Sequence, residues 1–128
     1  MGEREEVIKS YFNAWVNKES SNLEHYFHPD IYYCECYGPE YNGINQIMQW
    51  FLAWNKVGSV LTWKIKQILH QEDTYTVEWY FECDYENNID GFDGVSIIEF
   101  RENRIVSLKE FQSKAEHIQP YQDEGVCR

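Results

Sequence analysis

The stretch Gly94-Val-Ser-Ile-Ile-Glu-Phe-Arg-Glu-Asn-Arg-Ile-Val-Ser-Leu-Lys-Glu-Phe111 decides the fold, because two apolar runs flank a polar turn. The runs extend from Phe92 to Phe100 and from Ile105 to Phe111, and the turn is Arg101–Arg104. This spacing predicts an antiparallel hairpin. The first run is apolar on both faces of the strand, so each face needs a cover. We expect helices on one face and a second copy of the chain on the other, giving a homodimer through the outer sheet face.

Two more strands precede this hairpin. Between Leu61 and Leu69, and again between Val77 and Asp84, apolar side chains alternate with polar ones. A period of two indicates strands with one buried and one wet face. The second half of the chain therefore predicts a meander of four antiparallel strands.

The first half carries helical patterns. Residues 4–17 place apolar side chains at helical spacing, and residues 44–55 repeat that pattern. Between them, Ser21 and Glu24 fit a capping box for a short helix through Phe27, which Pro29 helps to end. Residues 31–37 then read as a strand. The order of helix, helix, strand, helix and four strands predicts an α+β domain with its helices on one face of the sheet.

The chain has 128 residues, enough for one domain with a hydrophobic core. We expect a single domain over 1–128, with a core over about 4–114 and a polar tail at 115–128. The net charge of −11 repels phosphate backbones and anionic lipids, which disfavours nucleic-acid and membrane partners. No stretch reaches the roughly 18 apolar residues of a membrane span, and the first residues are charged. We therefore expect a cytoplasmic protein.

Glu35 lies among aromatic and sulfur side chains in Tyr32-Tyr-Cys-Glu-Cys-Tyr37. If its side of the strand faces a sheltered space, desolvation raises the pKa of Glu35 and suits it to proton transfer. Both sides of this strand are apolar, so a solvent-facing Glu35 is the alternative. Cys34 and Cys36 have no second pair or histidine cluster at ligand spacing, so we expect no metal site.

The order of elements and several segments resemble the nuclear transport factor 2-like superfamily, which includes ketosteroid isomerase, SnoaL-like polyketide cyclases and scytalone dehydratase. The segments are Tyr11–Trp15, Tyr33–Gly38 with Asn42-Gly43, Gly94–Phe100 and Ile105–Phe111. The resemblance implies a SnoaL-like domain with a cone-shaped, curved, mixed or antiparallel sheet and three N-terminal helices on its concave face, the cystatin-like arrangement. It implies a fold more than a function, because the superfamily hosts many chemistries.

The resemblance also implies residue roles. Without a gap, Tyr11 falls on the tyrosine of ketosteroid isomerase that donates to the oxyanion, and Glu35 on its proton-moving carboxylate. Ser96 falls on the protonated acid of that enzyme, where a serine is a weaker hydrogen-bond donor. Resemblance to the SnoaL-like cyclases suggests an acid on the last strand, for which Glu110 is the nearest candidate. Its neighbours Lys109 and Gln112 leave open whether Glu110 faces a cavity or solvent.

These residues support two hypotheses. The first is an isomerase, cyclase or hydratase without metal or organic cofactor, in which Glu35 and Tyr11 act on a small apolar carbonyl compound. The second is a non-catalytic dimeric module that binds a small hydrophobic ligand. In both, the expected ligand contacts are Trp15, Tyr33, Trp63, Trp79, Phe81, Ser96 and Glu110. Aromatic side chains at these positions also fit ordinary core packing.

Overall fold

The computed structural model describes residues 2–114 and 116–121, and within them it contains three helices and one sheet of six strands. In chain order the elements are α1 (Glu3–Asn17), α2 (Leu23–Tyr26), β1 (Phe27–Cys34), β2 (Glu40–Asn42), α3 (Ile44–Val57), β3 (Gly58–Gln71), β4 (Thr74–Tyr85), β5 (Asn88–Arg101) and β6 (Arg104–Lys114). The strand order is β2-β1-β6-β5-β4-β3. β1 and β6 are parallel and the other neighbours antiparallel, so the sheet is mixed. The predicted α+β class and the three helices are confirmed.

The predicted meander of four strands is β3 to β6, and its hairpins have tight turns. Glu86 and Asn87 have φ of 51° and 70°, and Glu102 and Asn103 have φ of 54° and 65°. Two-residue turns with both central φ angles positive match the right-handed twist of the strands they join. The turn predicted between Arg101 and Arg104 therefore closes the hairpin that fixes β6 beside β5.

Helix α1 packs on the sheet through the side chains that its spacing predicts. Ile8, Tyr11, Phe12 and Trp15 are buried. The ring of Phe12 stacks on Trp63 of β3, with centroids 3.8 Å apart and an angle of 12° between the planes. Stacked and edge-on rings of this size stabilise a core beyond the area that they bury. The core therefore lies between the helices and the inner face of the sheet.

The boundaries around β1 differ from the prediction. α2 ends at Tyr26, and β1 begins at Phe27 and ends at Cys34 rather than covering 31–37. Pro29 lies inside β1, where the pairing with β6 shifts register between Phe27 and Tyr32. Proline is tolerated at such irregularities because a ladder hydrogen bond is already missing there. Glu35 is consequently the first residue beyond the strand.

Two further details of the first half differ from the prediction. Asn22, not Ser21, is the N-cap of α2, and no side chain caps this helix. The hydroxyl of Ser21 instead donates to the carboxylate of Glu19 at 2.6 Å, so the predicted capping box is wrong. The three-residue strand β2 was not predicted, because so short a segment shows no periodicity.

The predicted tail is described only in part. Residues 116–121 contain no helix or strand, and residues 115 and 122–128 lie outside the described residues. Of the helices found in the described residues, none has the length and apolar character needed to cross a membrane.

Gly94 provides a test of this packing. A Cβ atom at Gly94 would lie 2.5 Å from the backbone oxygen of Phe111 and also against the indole of Trp79. We expect Gly94→Ala to lower the free energy of unfolding by about 1–3 kcal/mol, since a backbone oxygen cannot move aside. Urea unfolding measures this. Gly2→Ala is the control, because no atom lies within 4 Å of its Cβ position; equal stability of both variants would contradict the packing.

Candidate active site

Aromatic side chains from the helices and the sheet line a small cavity that is partly open to solvent. Its volume is about 40 Å³, which holds a few water molecules. All five tryptophans of the sequence line it: Trp15, Trp50, Trp54, Trp63 and Trp79. The remaining wall consists of Tyr33, Glu35, Cys36, Tyr37, Val60, Phe81, Phe92 and Glu110. The indole rings therefore fill most of the space between helices and sheet and leave a narrow aromatic hollow.

Most of the residues that the sequence proposed for a site meet at this cavity. The wall contains seven of them: Trp15, Tyr33, Glu35, Trp63, Trp79, Phe81 and Glu110. Tyr11 and Ser96 are fully buried and do not line it. Tyr11 lies behind Tyr33, and the hydroxyl of Ser96 accepts a hydrogen bond from the indole nitrogen of Trp79 at 2.9 Å. The structure thus gives Ser96 the role of holding a wall residue in place.

The strand register decides the orientation of Glu110. Glu110 on β6 pairs with Ser96 on β5, and Ser96 is on the inner face of the sheet. Side chains of directly paired residues project from the same face, so Glu110 also faces the core. The sequence left this orientation open, because Lys109 and Gln112 have the character of a wet strand end. Pairing across the sheet supplies what the local pattern lacks.

A chain of hydrogen bonds ends on Glu110. The indole nitrogen of Trp15 donates to the hydroxyl of Tyr11 at 2.9 Å, and Tyr11 donates to the hydroxyl of Tyr33 at 2.7 Å. Tyr33 donates in turn to the Glu110 carboxylate. Each donor polarises the next, so the chain stabilises negative charge on Glu110. The proton of Tyr11 is used within this chain rather than pointing into the cavity.

Glu35 is the second carboxyl group in the wall. Tyr41 of β2 donates to it at 2.7 Å, and the ring of Tyr41 stacks on Trp50 with centroids 4.6 Å apart. Burial raises the pKa of Glu35, and the hydrogen bond from Tyr41 opposes this rise. Both carboxyls therefore have one tyrosine donor. Among the described residues, no three His, Cys, Asp or Glu side chains cluster closely enough to hold a metal ion.

The acidity of Glu110 is strongly perturbed. Burial, aided by the charge of Glu35, raises the pKa of Glu110 to about 7, while hydrogen bonds from Tyr33 and the backbone of Cys36 oppose the rise. A carboxyl group in this range exchanges its proton readily near neutral pH. Two carboxyls share one cavity, and Glu110 is the one that holds a proton most strongly.

Several wall residues were not among the predicted site residues. Trp50 and Trp54 are one helical turn apart on α3, and this i, i+4 spacing places them on one face of the helix. Their shared spacing is a signal that the sequence contains. Cys36 and Tyr37 lie in the connection after β1, and Tyr41 reaches Glu35 only because β2 pairs with β1. Their positions depend on a turn that local patterns do not specify.

A family model for the SnoaL-like domain matches residues 8–108. The chain belongs to the SnoaL-like domain family. The match covers most of the fold, from α1 to β6, and includes both Glu35 and the tyrosines of the hydrogen-bond chain. Glu110 lies two residues beyond its end. No curated protein sequence matches this SnoaL-like domain.

Solved structures share its fold at low identity. An LEH-like epoxide hydrolase of M. tuberculosis has a TM-score of 0.78 at 14% identity over 87% of this chain and 83% of its own. An NTF-2 like protein of unknown function from Burkholderia xenovorans has a TM-score of 0.75 at 15% identity over 98% and 94%. A hypothetical protein of Catenulispora acidiphila with a ketosteroid isomerase-like fold, in complex with trimethylamine, has a TM-score of 0.72 at 18% identity over 83% and 84%. At these identities the three structures support the fold of this SnoaL-like domain and say nothing about its function.

The raised pKa of Glu110 predicts that the free energy of unfolding decreases as pH rises. A glutamate carboxyl ordinarily has a pKa of 4.5, whereas burial gives Glu110 a pKa of about 7 in the folded protein. The folded state therefore holds a proton that the unfolded state releases between these values, and stability present at acid pH is lost as pH rises through this window. We expect a loss of at most about 3 kcal/mol. Urea unfolding at several pH values measures it.

A neutral isostere should flatten this profile. We expect Glu110→Gln to lose less stability across the same pH window, because the amide carries no charge to bury. The exposed Glu99→Gln is the matched control and should keep the wild-type profile. If Glu110→Gln follows the wild-type profile throughout, the carboxyl is not the titrating group.

Proposed function

We propose that this SnoaL-like domain is a cofactor-independent acid–base catalyst of the isomerase, cyclase or hydratase type, acting on a small carbonyl compound. The observation that carries the proposal is Glu110, a carboxyl group with a pKa of about 7 in an aromatic cavity. A base whose pKa is close to the working pH takes and returns a proton efficiently. The surrounding rings leave room for only a few water molecules, and the scarcity of water strengthens electrostatic interactions in the cavity.

In this mechanism the Glu110 carboxylate accepts a proton from the carbon next to the substrate carbonyl, and the C–H electron pair moves toward the carbonyl oxygen to form an enolate. Protonated Glu110 then returns the proton to a carbon of the enolate, so no cofactor is consumed. The negative charge of Glu35 increases the proton affinity of Glu110. The sequence predicted Glu35 as the base. Its carboxyl group lies in the same wall, so in this proposal Glu35 is a second group that can accept a proton from the substrate.

The oxygen of such a substrate needs a hydrogen-bond donor. The indole nitrogen of Trp63 is buried and has no hydrogen-bond partner among the described residues. An unpaired buried donor costs about 1–3 kcal/mol, so a site that leaves one is consistent with a ligand acceptor there. Tyr33 is the second donor. When Glu110 becomes protonated, the Tyr33 hydroxyl no longer needs to donate to it and can donate to the substrate oxygen instead. Tyr11 and Trp15 support Tyr33 through the hydrogen-bond chain.

Proton exchange of a simple ketone tests this proposal. We expect the wild-type protein to accelerate exchange of the α-hydrogens of 2-butanone in D₂O, followed by NMR. The rate should rise with pH through about 7, since the carboxylate form of Glu110 is the base. Glu110→Gln should reduce the rate by about 10²–10⁴-fold. Glu99→Gln should keep the wild-type rate; exchange that is unaffected in Glu110→Gln would remove Glu110 from the mechanism.

A second candidate function is a non-catalytic module that binds a small ligand. The narrow cavity favours it, since about 40 Å³ leaves little room for a reacting substrate to move. The relative from Catenulispora acidiphila is in complex with trimethylamine, a molecule of four heavy atoms, and this supports a ligand of similar size here. If the wild type does not accelerate the ketone exchange, the binding module is the better function.

We also propose that the domain forms a homodimer through the outer sheet face, whether or not it is an enzyme. Leu69, Val95 and Phe111 line a shallow depression there, and Leu69 and Phe111 are more than half exposed. Apolar patches on the sheet of this kind are typical of interfaces.

A charge on this face should separate the subunits. We expect Phe111→Asp to convert a dimer into a monomer, because the carboxylate would be buried without a partner in the interface. Size-exclusion chromatography with light scattering measures the mass. Leu52→Asp is the control, since Leu52 is similarly exposed but lies on α3. A wild-type monomer would refute the proposed interface.

A further inference from the structure

The wall of the cavity is electron-rich on several sides. The five tryptophans line it, and each contacts another of them. Trp63 is edge-on to Trp79, with ring centroids 5.7 Å apart. The ring centroid of Trp15 lies 4.8 Å from that of Trp50 and 5.4 Å from that of Trp54. Ring faces carry partial negative charge, and tryptophan attracts cations most strongly of the aromatic residues. A wall of indoles therefore distinguishes a cation from a neutral molecule of the same shape.

The only charges that the described wall side chains can carry near neutral pH are negative. Glu35 and Glu110 line the cavity, and no Lys, Arg or His is among the described residues that line it. Basic side chains form their ion pairs elsewhere: Arg4 binds Asp73, and Lys66 binds Asp93. The net charge of −11 adds a field that attracts cations toward the protein. The two carboxyls thus lack a positive partner among the described wall residues, and a ligand can supply that charge.

The wall also restricts what kind of cation fits. A primary ammonium carries three N–H donors that each need an acceptor, whereas nine of the thirteen wall residues are aromatic. The Glu110 carboxyl already accepts from Tyr33 and the Glu35 carboxyl from Tyr41, so only their remaining lone pairs are left for such donors. An ammonium covered by methyl groups has no such requirement, because its charge spreads over an apolar surface that packs against rings. A methylated ammonium therefore combines a positive charge with the apolar surface that the sequence led us to expect of the ligand.

We propose that the cavity selects compact methylated ammonium cations, so that the substrate or ligand of this site carries such a group. The inference rests on the proposed function only in using the same cavity, and it applies equally to a catalyst and to a binding module.

A bound cation is linked to the proton on Glu110. A positive charge beside the carboxyl group favours its ionised form, so binding releases a proton and becomes tighter as pH rises through about 7. The other titratable groups that interact with Glu110 are Glu35, Tyr33, Tyr11, Tyr41 and Cys36. Burial raises the pKa of Cys36 to about 12 and holds the pKa values of the three tyrosines above their usual range. Among these groups, Glu110 is therefore the one whose pKa of about 7 makes it change charge near neutral pH.

A pair of ligands with one shape and different charge tests this inference. Choline carries a trimethylammonium group, and 3,3-dimethylbutan-1-ol is its neutral isostere. We expect choline to bind about tenfold more tightly or better at about pH 8, measured by tryptophan fluorescence and by NMR of the indole N–H groups. The preference should shrink several-fold at about pH 6, where Glu110 is protonated. Equal affinity for the two ligands, or no binding of choline, would overturn the proposal.

Two variants separate the charge from the shape of the cavity. Glu110→Gln should weaken choline about tenfold and remove the pH dependence of its binding while leaving the neutral alcohol unaffected. Trp50→Leu keeps an apolar wall but removes one ring face, so it should also weaken choline more than the alcohol. Glu99→Gln is the control for a charge lost far from the cavity. Equal losses for both ligands in the first two variants would show a packing effect alone and would overturn the proposal.

The outcome is distinguishable from that of the proposed function. Selective choline binding without ketone exchange keeps the cation site and refutes the catalyst. Ketone exchange with no preference for choline keeps the catalyst and refutes the cation site.

Discussion

The burial of the Glu110 carboxyl beneath Tyr33 is the constraint on which the site depends. The two residues come from β6 and β1, strands that are far apart in the sequence and lie side by side as the parallel pair of the sheet. Tyr33 is paired with Leu108, so its hydroxyl reaches the carboxyl group two residues further along β6. Parallel pairing requires a long connection between strands. Here that connection contains β2, α3 and the strands β3 to β5, and thus most of the cavity wall.

The same aromatic side chains serve as core and as cavity wall. Phe12 stacks on Trp63 from one side, and Trp79 and Phe81 meet Trp63 edge-on from the sheet. Rings held by several neighbours keep their orientation, which makes the cavity rigid and small. For the proposed ligand, a wall held in this way means that little conformational entropy remains to be lost on binding. The cost is a limit on ligand size, consistent with the volume of about 40 Å³.

The two carboxyl groups of the site differ in their hydrogen-bond partners and in their acidity. Glu35, just past the end of β1, is paired with Tyr41, whereas Glu110 ends a chain of three donors that runs back to Trp15. Hydrogen bonds lower both pKa values and burial raises both, so the balance of these opposed effects sets each acidity. For Glu110 desolvation is the larger effect, and proximity to Glu35 adds to it. The proposed catalysis and the proposed cation binding both depend on the same feature, a carboxyl group whose charge depends on what lies beside it.

The sequence alone determined the α+β class, the three helices, the meander and most of the aromatic wall, because periodicities of 3.6 and of two are local properties. It also identified Glu35 and Glu110 as candidates. It could not determine the end of β1, the presence of β2 or the side on which Glu110 projects. Those depend on which strand pairs with which and in what register, and pairing is decided by contacts between residues distant in the chain. Tyr11 shows the difference: its burial follows from the helical stripe, but its bond to Tyr33 exists only in the folded protein.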